Sequence, residues 1–385
     1  LLERLAPGAV HWFSDAAPPG AEASQGNAAL GLLGSELDAL VFDAYSGFDP
    51  NAFGALTGTL RGGALLLLVT PPLSDWAQFP DPQNQRITVA PYRAEQLSGR
   101  FLQRLVRVLE SDPEVLLCEG GKPLRVPVDT GSPPESYPRA AADPCRSDDQ
   151  RRAVQALVRV VTGHRRRPVV LTSDRGRGKS AAFGIAAAQL IQAGRRQIWV
   201  TGPHMKAAQA VLEHARRLLP EQQHQAIAFK PPDQLLQDSP PADLLLVDEA
   251  AAIPAALLEV LLKHYSRIAF ATTVHGYEGT GRGFAVRFSQ TLERHSNSCK
   301  QLTLSAPIRW AENDPLERLV FRMLLLDANA APDAALQGAD PDGCRIERLD
   351  RDQLLADEAR LSELFGLLVL AHYRTRPLDL RHLLD

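Results

Sequence analysis

Lys179 and Ser180 close the run Ser173-Asp174-Arg175-Gly176-Arg177-Gly178-Lys179-Ser180, while Asp248 and Glu249 end the apolar run Leu244-Leu245-Leu246-Val247. Brought together, these four residues are equipped for phosphoryl chemistry. Glycines at 176 and 178 let backbone N–H groups curl around a β-phosphate, and a helix starting there adds the partial positive charge of its N-terminus. Lys179 reaches β- and γ-oxygens, and Ser180 offers its hydroxyl to Mg2+. Asp248 is suited to hold the same Mg2+, directly or through water, and Glu249 to polarise an attacking water. In the usual form of this loop a glycine leads; here Ser173 stands in that place, so the tight turns rest on Gly176 and Gly178.

Such a loop works only between a buried strand and a helix. Val169-Val170-Leu171-Thr172 reads as the strand and Ser180–Gln192 as the helix. Further strands are expected at Gln197–Thr201, Leu244–Val247, Arg267–Thr273 and Gln301–Leu304, with helices at His204–Leu219 and Ala255–His264 between them. That alternation predicts a parallel sheet covered on both faces, with the acidic pair on the same rim as Lys179. Pro220 to Pro241 reads as a polar loop. Arg146–Val161 reads as a helix capped by Ser147, and helices are expected again at Leu316–Leu326 and Leu354–Tyr373.

Upstream, Leu37–Asp43 and Ala64–Thr70 read as strands with a short helix from Pro50 to Leu60 between them, a βαβ-like unit without a glycine fingerprint. Asp43 and Asp49 there suit turn and cap duties. The fold class is therefore α/β. A small N-terminal α/β domain without a nucleotide loop is expected over 1–115, a linker over 116–145, a RecA-like P-loop ATPase domain over 146–330 and a helical segment over 331–385.

Other residues extend the site. Gln150 precedes the loop, where its amide has the donor and acceptor to pair with an adenine edge; a solvated helix glutamine looks the same in sequence. Val200-Thr201-Gly202-Pro203 has the form of a helicase motif that touches nucleic acid, and equally of an ordinary strand-to-helix turn. Thr272 and Thr273 end a strand where they can sense a γ-phosphate. In the glycine-rich stretch that follows, Tyr277 and Arg282 are tools for stacking on RNA and neutralising it. Arg309, in Pro307-Ile308-Arg309-Trp310, is a candidate arginine finger, and Arg282 is its rival. The sets Arg165–Arg167 and Arg282, Arg287, Arg294, Lys300, Arg309 suit a phosphate backbone or a solvated face.

The 385 residues are 45% hydrophobic and 23% charged, an ordinary globular composition with room for two or three domains. The longest apolar run, Ala64–Val69, is too short to span a bilayer, so no membrane partner is expected. Four scattered cysteines without a CxxC pair fit a reducing, cytoplasmic setting. A net charge of −3 means any RNA surface must be local. The chain opens at Leu1, not Met, so a targeting segment is left open.

Together these motifs resemble one family, the bacterial tRNA(Met) cytidine acetyltransferases. The resemblance is carried by Asp174–Ser180, Val247-Asp248-Glu249-Ala250-Ala251-Ala252-Ile253-Pro254, Thr272–Phe284 and Pro307–Trp310. Val41–Asp49 and His372–Leu380 extend it to both ends of the chain. It implies an enzyme that forms N4-acetylcytidine at the wobble position of elongator tRNA(Met), using acetyl-CoA and ATP. It also implies ATP contacts at Gln150, at Arg175, Gly176, Arg177, Gly178, Lys179 and Ser180, at Ala181 and Ala182 of the helix start, and at Arg309. Arg309 is thereby preferred to Arg282 for the nucleotide. The family's acetyl-CoA loop, an Arg/Gln-x-x-Gly-x-Gly/Ala turn, is absent after Arg309. The chain is thus expected to be the N-terminal and helicase-like part, with acetyl transfer belonging to a domain beyond Asp385.

Three other readings fit part of the pattern. A processive superfamily 1 helicase needs a second motor lobe of roughly 100–150 residues, more than the chain holds after Trp310. A nucleotide-gated RNA-binding scaffold would bind ATP without turnover. A small-molecule P-loop kinase would have no need of the glycine-rich aromatic stretch.

Overall fold

The computed structural model describes residues 8–32, 35–125, 143–163, 167–274, 288, 291–292, 294, 299–372 and 375–385. The chain divides into two units. One joins the N-terminal residues to Asn313–Asp385; the other holds residues from 143 to 274 and the described residues from 288 to 312.

The first unit is built on four parallel strands in the order β2-β1-β3-β4: β1 Val10–Phe13, β2 Glu22–Ser24, β3 Leu37–Asp43 and β4 Leu60–Val69. Asp49 caps the helix Pro50–Thr57 by accepting from the N–H groups of Asn51 and Ala52, and Pro50 begins it without leaving a lost hydrogen bond. Phe42, Phe48, Phe53, Trp76 and Phe101 are fully buried and meet at tilted or edge-on angles, except that Phe13 stacks on Phe42. The same core takes in Leu319, Met323, Leu361, Phe365 and Leu380 from the C-terminal helices Pro315–Leu324, Glu358–Ala371 and Pro377–Leu384. Buried arginines tie these helices down. Arg104 donates to the carbonyls of Arg322 and Met323, and Arg381 donates to Phe48 O, Asp81 Oδ2 and Asn84 Oδ1. The first part of the stretch expected to be linker is an antiparallel hairpin, β5 Leu117–Glu119 and β6 Lys122–Arg125; residues 126–142 lie outside those described.

The second unit carries a six-stranded parallel sheet in the order β12-β7-β11-β10-β8-β9. The strands are β7 Val169–Ser173, β8 Ile198–Thr201, β9 Ile227–Phe229, β10 Leu244–Val247, β11 Ile268–Thr273 and β12 Lys300–Leu304. Alternate residues sort to opposite faces. Leu171, Leu244, Leu246 and Ala269 join a core with helices Asp148–Thr162, Lys179–Gln192 and Met205–Arg217. Val170, Leu245, Val247 and Phe270 join another with Leu258 and Leu261 of helix Ala255–His264. Burial on both faces is why β7, β10 and β11 read as continuous apolar runs. The phosphate-loop strand β7 and the acidic strand β10 flank β11, so the loop, the acidic pair and Thr273 all emerge at the C-terminal rim. The stretch 220–241 is not wholly loop: it contains β9 and the helix Pro232–Asp238. Among the described residues no helix is long and apolar enough to cross a membrane.

Candidate nucleotide site

The chain leaves β7 at Ser173 and enters helix Lys179–Gln192 through Gly178. Gly176 and Gly178 have φ of +72° and +81°, a region that side chains resist. Space is tight as well, and a side chain at either position would push its neighbours aside. A Cβ at 176 would lie 3.1 Å from both Arg309 Cβ and the Trp310 ring, and one at 178 would lie 2.6 Å from Gln150 Nε2 and Ile308 Cδ1. Ala181 and Ala182 form the first turn with Ser180, where Ala182 N donates to Gly178 O.

Lys179 is buried at the loop's centre. Its ammonium donates to Ser173 Oγ at 3.0 Å and to the Asp174 carbonyl at 3.3 Å. The Ser173 hydroxyl in turn donates to Asp174 O at 2.7 Å, so the serine that replaces the leading glycine holds the lysine in place. Burial draws the Lys179 pKa below the ordinary lysine value, against the pull of Glu249 and Asp248.

The acidic pair reaches this loop as expected. Ser180 Oγ donates to Asp248 Oδ2 at 2.7 Å, and the N–H of Glu249 donates to Asp248 Oδ1 at 3.0 Å. Asp248 is wholly inaccessible to solvent; burial, reinforced by the Glu249 charge, pushes its pKa up to about 7. Glu249 sits at φ +46° and ψ +48°, a left-handed bend costing a non-glycine residue on the order of 1 kcal/mol. That bend leaves its carboxylate accepting from Thr273 Oγ1 at 3.2 Å to each oxygen. The donor set fits Mg2+: hard oxygen ligands from a hydroxyl and a carboxylate, beside a buried charge that wants a cation. Among the described residues there is no cluster of three His, Cys, Asp or Glu side chains able to cage a metal. Mg2+ bound by one or two protein oxygens and by phosphate does not need one.

Arg309 comes to the loop from the end of β12. The N–H groups of Ile308 and Arg309 both donate to Gly176 O, at 2.8 and 3.1 Å. Its guanidinium carbon lies 5.9 Å from the Trp310 ring centroid. Gln150 is buried and braces the loop, its Nε2 donating to Gly178 O at 3.1 Å and its Oε1 accepting from Arg146 N at 2.7 Å. Arg177 folds back to donate to Arg175 O. Gln150, residues 175–182, Asp248, Glu249 and Arg309 thus converge on one rim. Tyr277 and Arg282 lie outside the described residues.

One participant escaped the sequence reading. Asp149 Oδ2 accepts from Ser305 N and Ala306 N, at 2.9 and 3.1 Å, fixing the start of the segment that carries Arg309. An acid in a first helical turn looks in sequence like a dipole partner and nothing more. Thr273 was marked for the γ-phosphate, but its grip on Glu249 depends on the bend at 249, which no residue type announces.

Residues 170–327 match the family described as RNA cytidine acetyltransferase NAT10/TcmA, helicase domain. Residues 3–120 match tRNA(Met) cytidine acetyltransferase TmcA, N-terminal. A tRNA(Met) cytidine acetyltransferase TmcA from Nitrosococcus halophilus is 57% identical over 392 residues, which take in 98% of this chain and 52% of that protein. The Haloferax volcanii TmcA is 39% identical, over 93% of this chain and 51% of its own length. The one from Vibrio cholerae is 36% identical, over 92% and 46%. The chain spans about half the length of these relatives. Two successive family matches, with identity running almost end to end, show that this chain belongs to the TmcA family of tRNA(Met) cytidine acetyltransferases.

Proposed function

We propose that this chain binds and hydrolyses ATP as the helicase-like module of an enzyme that acetylates the wobble cytidine of elongator tRNA(Met). The observation that carries the reading is the joining of phosphate loop and acidic strand through the Ser180–Asp248 hydrogen bond, with Lys179 buried beside it. In that reading the glycine loop and helix N-terminus cradle the β-phosphate, and Lys179 exchanges its carbonyl partners for β- and γ-oxygens. Glu249, held by Thr273, orients the attacking water, and Arg309 neutralises charge building on the transferring γ-phosphate. Ser180 and Asp248 would hold Mg2+, which when bound neutralises phosphate charge.

Acetyl-CoA chemistry belongs to the part of the relatives this chain does not span, and ATP turnover here would place the tRNA anticodon for that transfer. In a full-length enzyme carrying these residues, Lys179→Ala is expected to abolish ATP binding and lower cytidine acetylation with it. Acetylation at the unaltered rate, with ATP binding lost, would overturn the coupling.

A further inference from the structure

The helix Asp148–Thr162 touches two parts of the site through adjacent residues. Gln150 holds the carbonyl of Gly178 in the phosphate loop, and Asp149 holds the amides of Ser305 and Ala306 at the root of the arginine segment. Further along the segment, the N–H groups of Ile308 and Arg309 both donate to Gly176 O. Asp149 is itself fixed: its other oxygen pairs with Arg152, and its side chain is 16% exposed. The two backbone N–H bonds, the Ser305 bond foremost, hold the carboxyl below its ordinary pKa, so it is charged at neutral pH.

We infer that Asp149 is the positioning residue for Arg309: it clamps the segment 305–310 so that the guanidinium is presented to nucleotide on the phosphate loop. The inference rests on the reading of this rim as an ATP site and deepens it. Both carboxylate oxygens of Asp149 are engaged by protein groups. Asp149 acts through two backbone amides, and a displacement on the order of 1 Å in a catalytic group costs about 100-fold in rate. One carboxylate oxygen receives both amides, so an asparagine carbonyl is able to replace it while alanine is not.

The test is a set of variants in the full chain, Asp149→Ala, Asp149→Asn, Arg309→Ala and Asp149→Ala with Arg309→Ala. Each is scored for fluorescent ATP-analogue affinity and for steady-state hydrolysis, kcat and KM separately. Exchange protection of the amides in 305–310 reports the clamp itself and a thermal melt reports folding. Asp149→Ala is expected to reproduce most of the Arg309→Ala defect, to add less than about twofold on top of it, and to raise exchange at 305–310; coupling of this kind marks residues acting as one unit. Asp149→Asn is expected to recover to within about threefold of the parent, as one kept acceptor predicts. The inference is overturned if Asp149→Ala matches the parent while Arg309→Ala is impaired, if the two defects simply multiply, or if Arg309→Ala has no defect to share. Should the parent bind ATP without turning it over, the hydrolysis reading falls. The same comparison in affinity then decides the role of Asp149.

Discussion

Gly178→Ala isolates the geometry of the phosphate loop. The native φ of +81° costs an alanine about 1–2 kcal/mol. The new methyl would lie 2.6 Å from Gln150 Nε2 and from Ile308 Cδ1, so the Gln150 amide must release Gly178 O and Ile308 must move. Losing that hydrogen bond adds about 1 kcal/mol. Restoring the phosphate-binding shape therefore costs roughly 2–3 kcal/mol, or about 30- to 150-fold in ATP affinity. The assay is titration with a fluorescent ATP analogue in parent and variant. Gly194→Ala is the control: φ there is +92°, but the methyl meets nothing within 4 Å and the site is elsewhere. It is expected to lower stability slightly and leave ATP affinity as it was. Parent-like affinity in Gly178→Ala, or equal weakening in Gly194→Ala, would refute the steric argument.

Three further outcomes follow from the structure. Thr273→Val removes the donor that orients Glu249 and is expected to lower kcat about tenfold, the worth of a hydrogen bond to a charged group, with ATP affinity retained. Loss of affinity in step with kcat would count against that role. Removing Asn313–Asp385 strips Leu319, Met323, Leu361, Phe365 and Leu380 from the first unit's core. At about 2 kcal/mol per side chain this approaches a domain's whole stability, so the N-terminal residues alone are expected to show no cooperative melt. A sharp melt from residues 8–125 would contradict it. Asp149, with its lowered pKa, contributes stability that is present above the ordinary aspartate value of 3.8 and lost as pH falls through the lower folded value. The melting-temperature advantage of the parent over Asp149→Asn should therefore shrink in acid; an advantage constant down the pH range would deny the charge any part.

Five of the six described strands of the second unit were legible to within a residue at either end, the inner ones because burial on both faces gives unbroken apolar runs and the glycines and acids mark where they end. Leu244–Val247 and Ala255–His264 appear with the expected bounds. What was missed is short or depends on partners. Ile227–Phe229 has three residues, too few to show a period, and Pro231-Pro232 reads as a loop although proline suits the first position of the helix that follows. Pro315–Leu324 shows an apolar face, but no periodicity says that Phe101 and Leu105 lie beneath it in the same core. In the site, Lys179, Ser180, Asp248 and Glu249 announced themselves by motif. Gln150 suggested an adenine contact, and its amide in this structure braces Gly178. Asp149 gave no signal, since its partners are backbone amides more than 150 positions away.

Steady-state ATP hydrolysis by this chain, with and without tRNA(Met) and beside Lys179→Ala, tests the central claim most directly. Turnover that rises with the tRNA and vanishes in Lys179→Ala is the predicted result. Tight ATP binding with no turnover under either condition would contradict it and leave the site a nucleotide-gated switch.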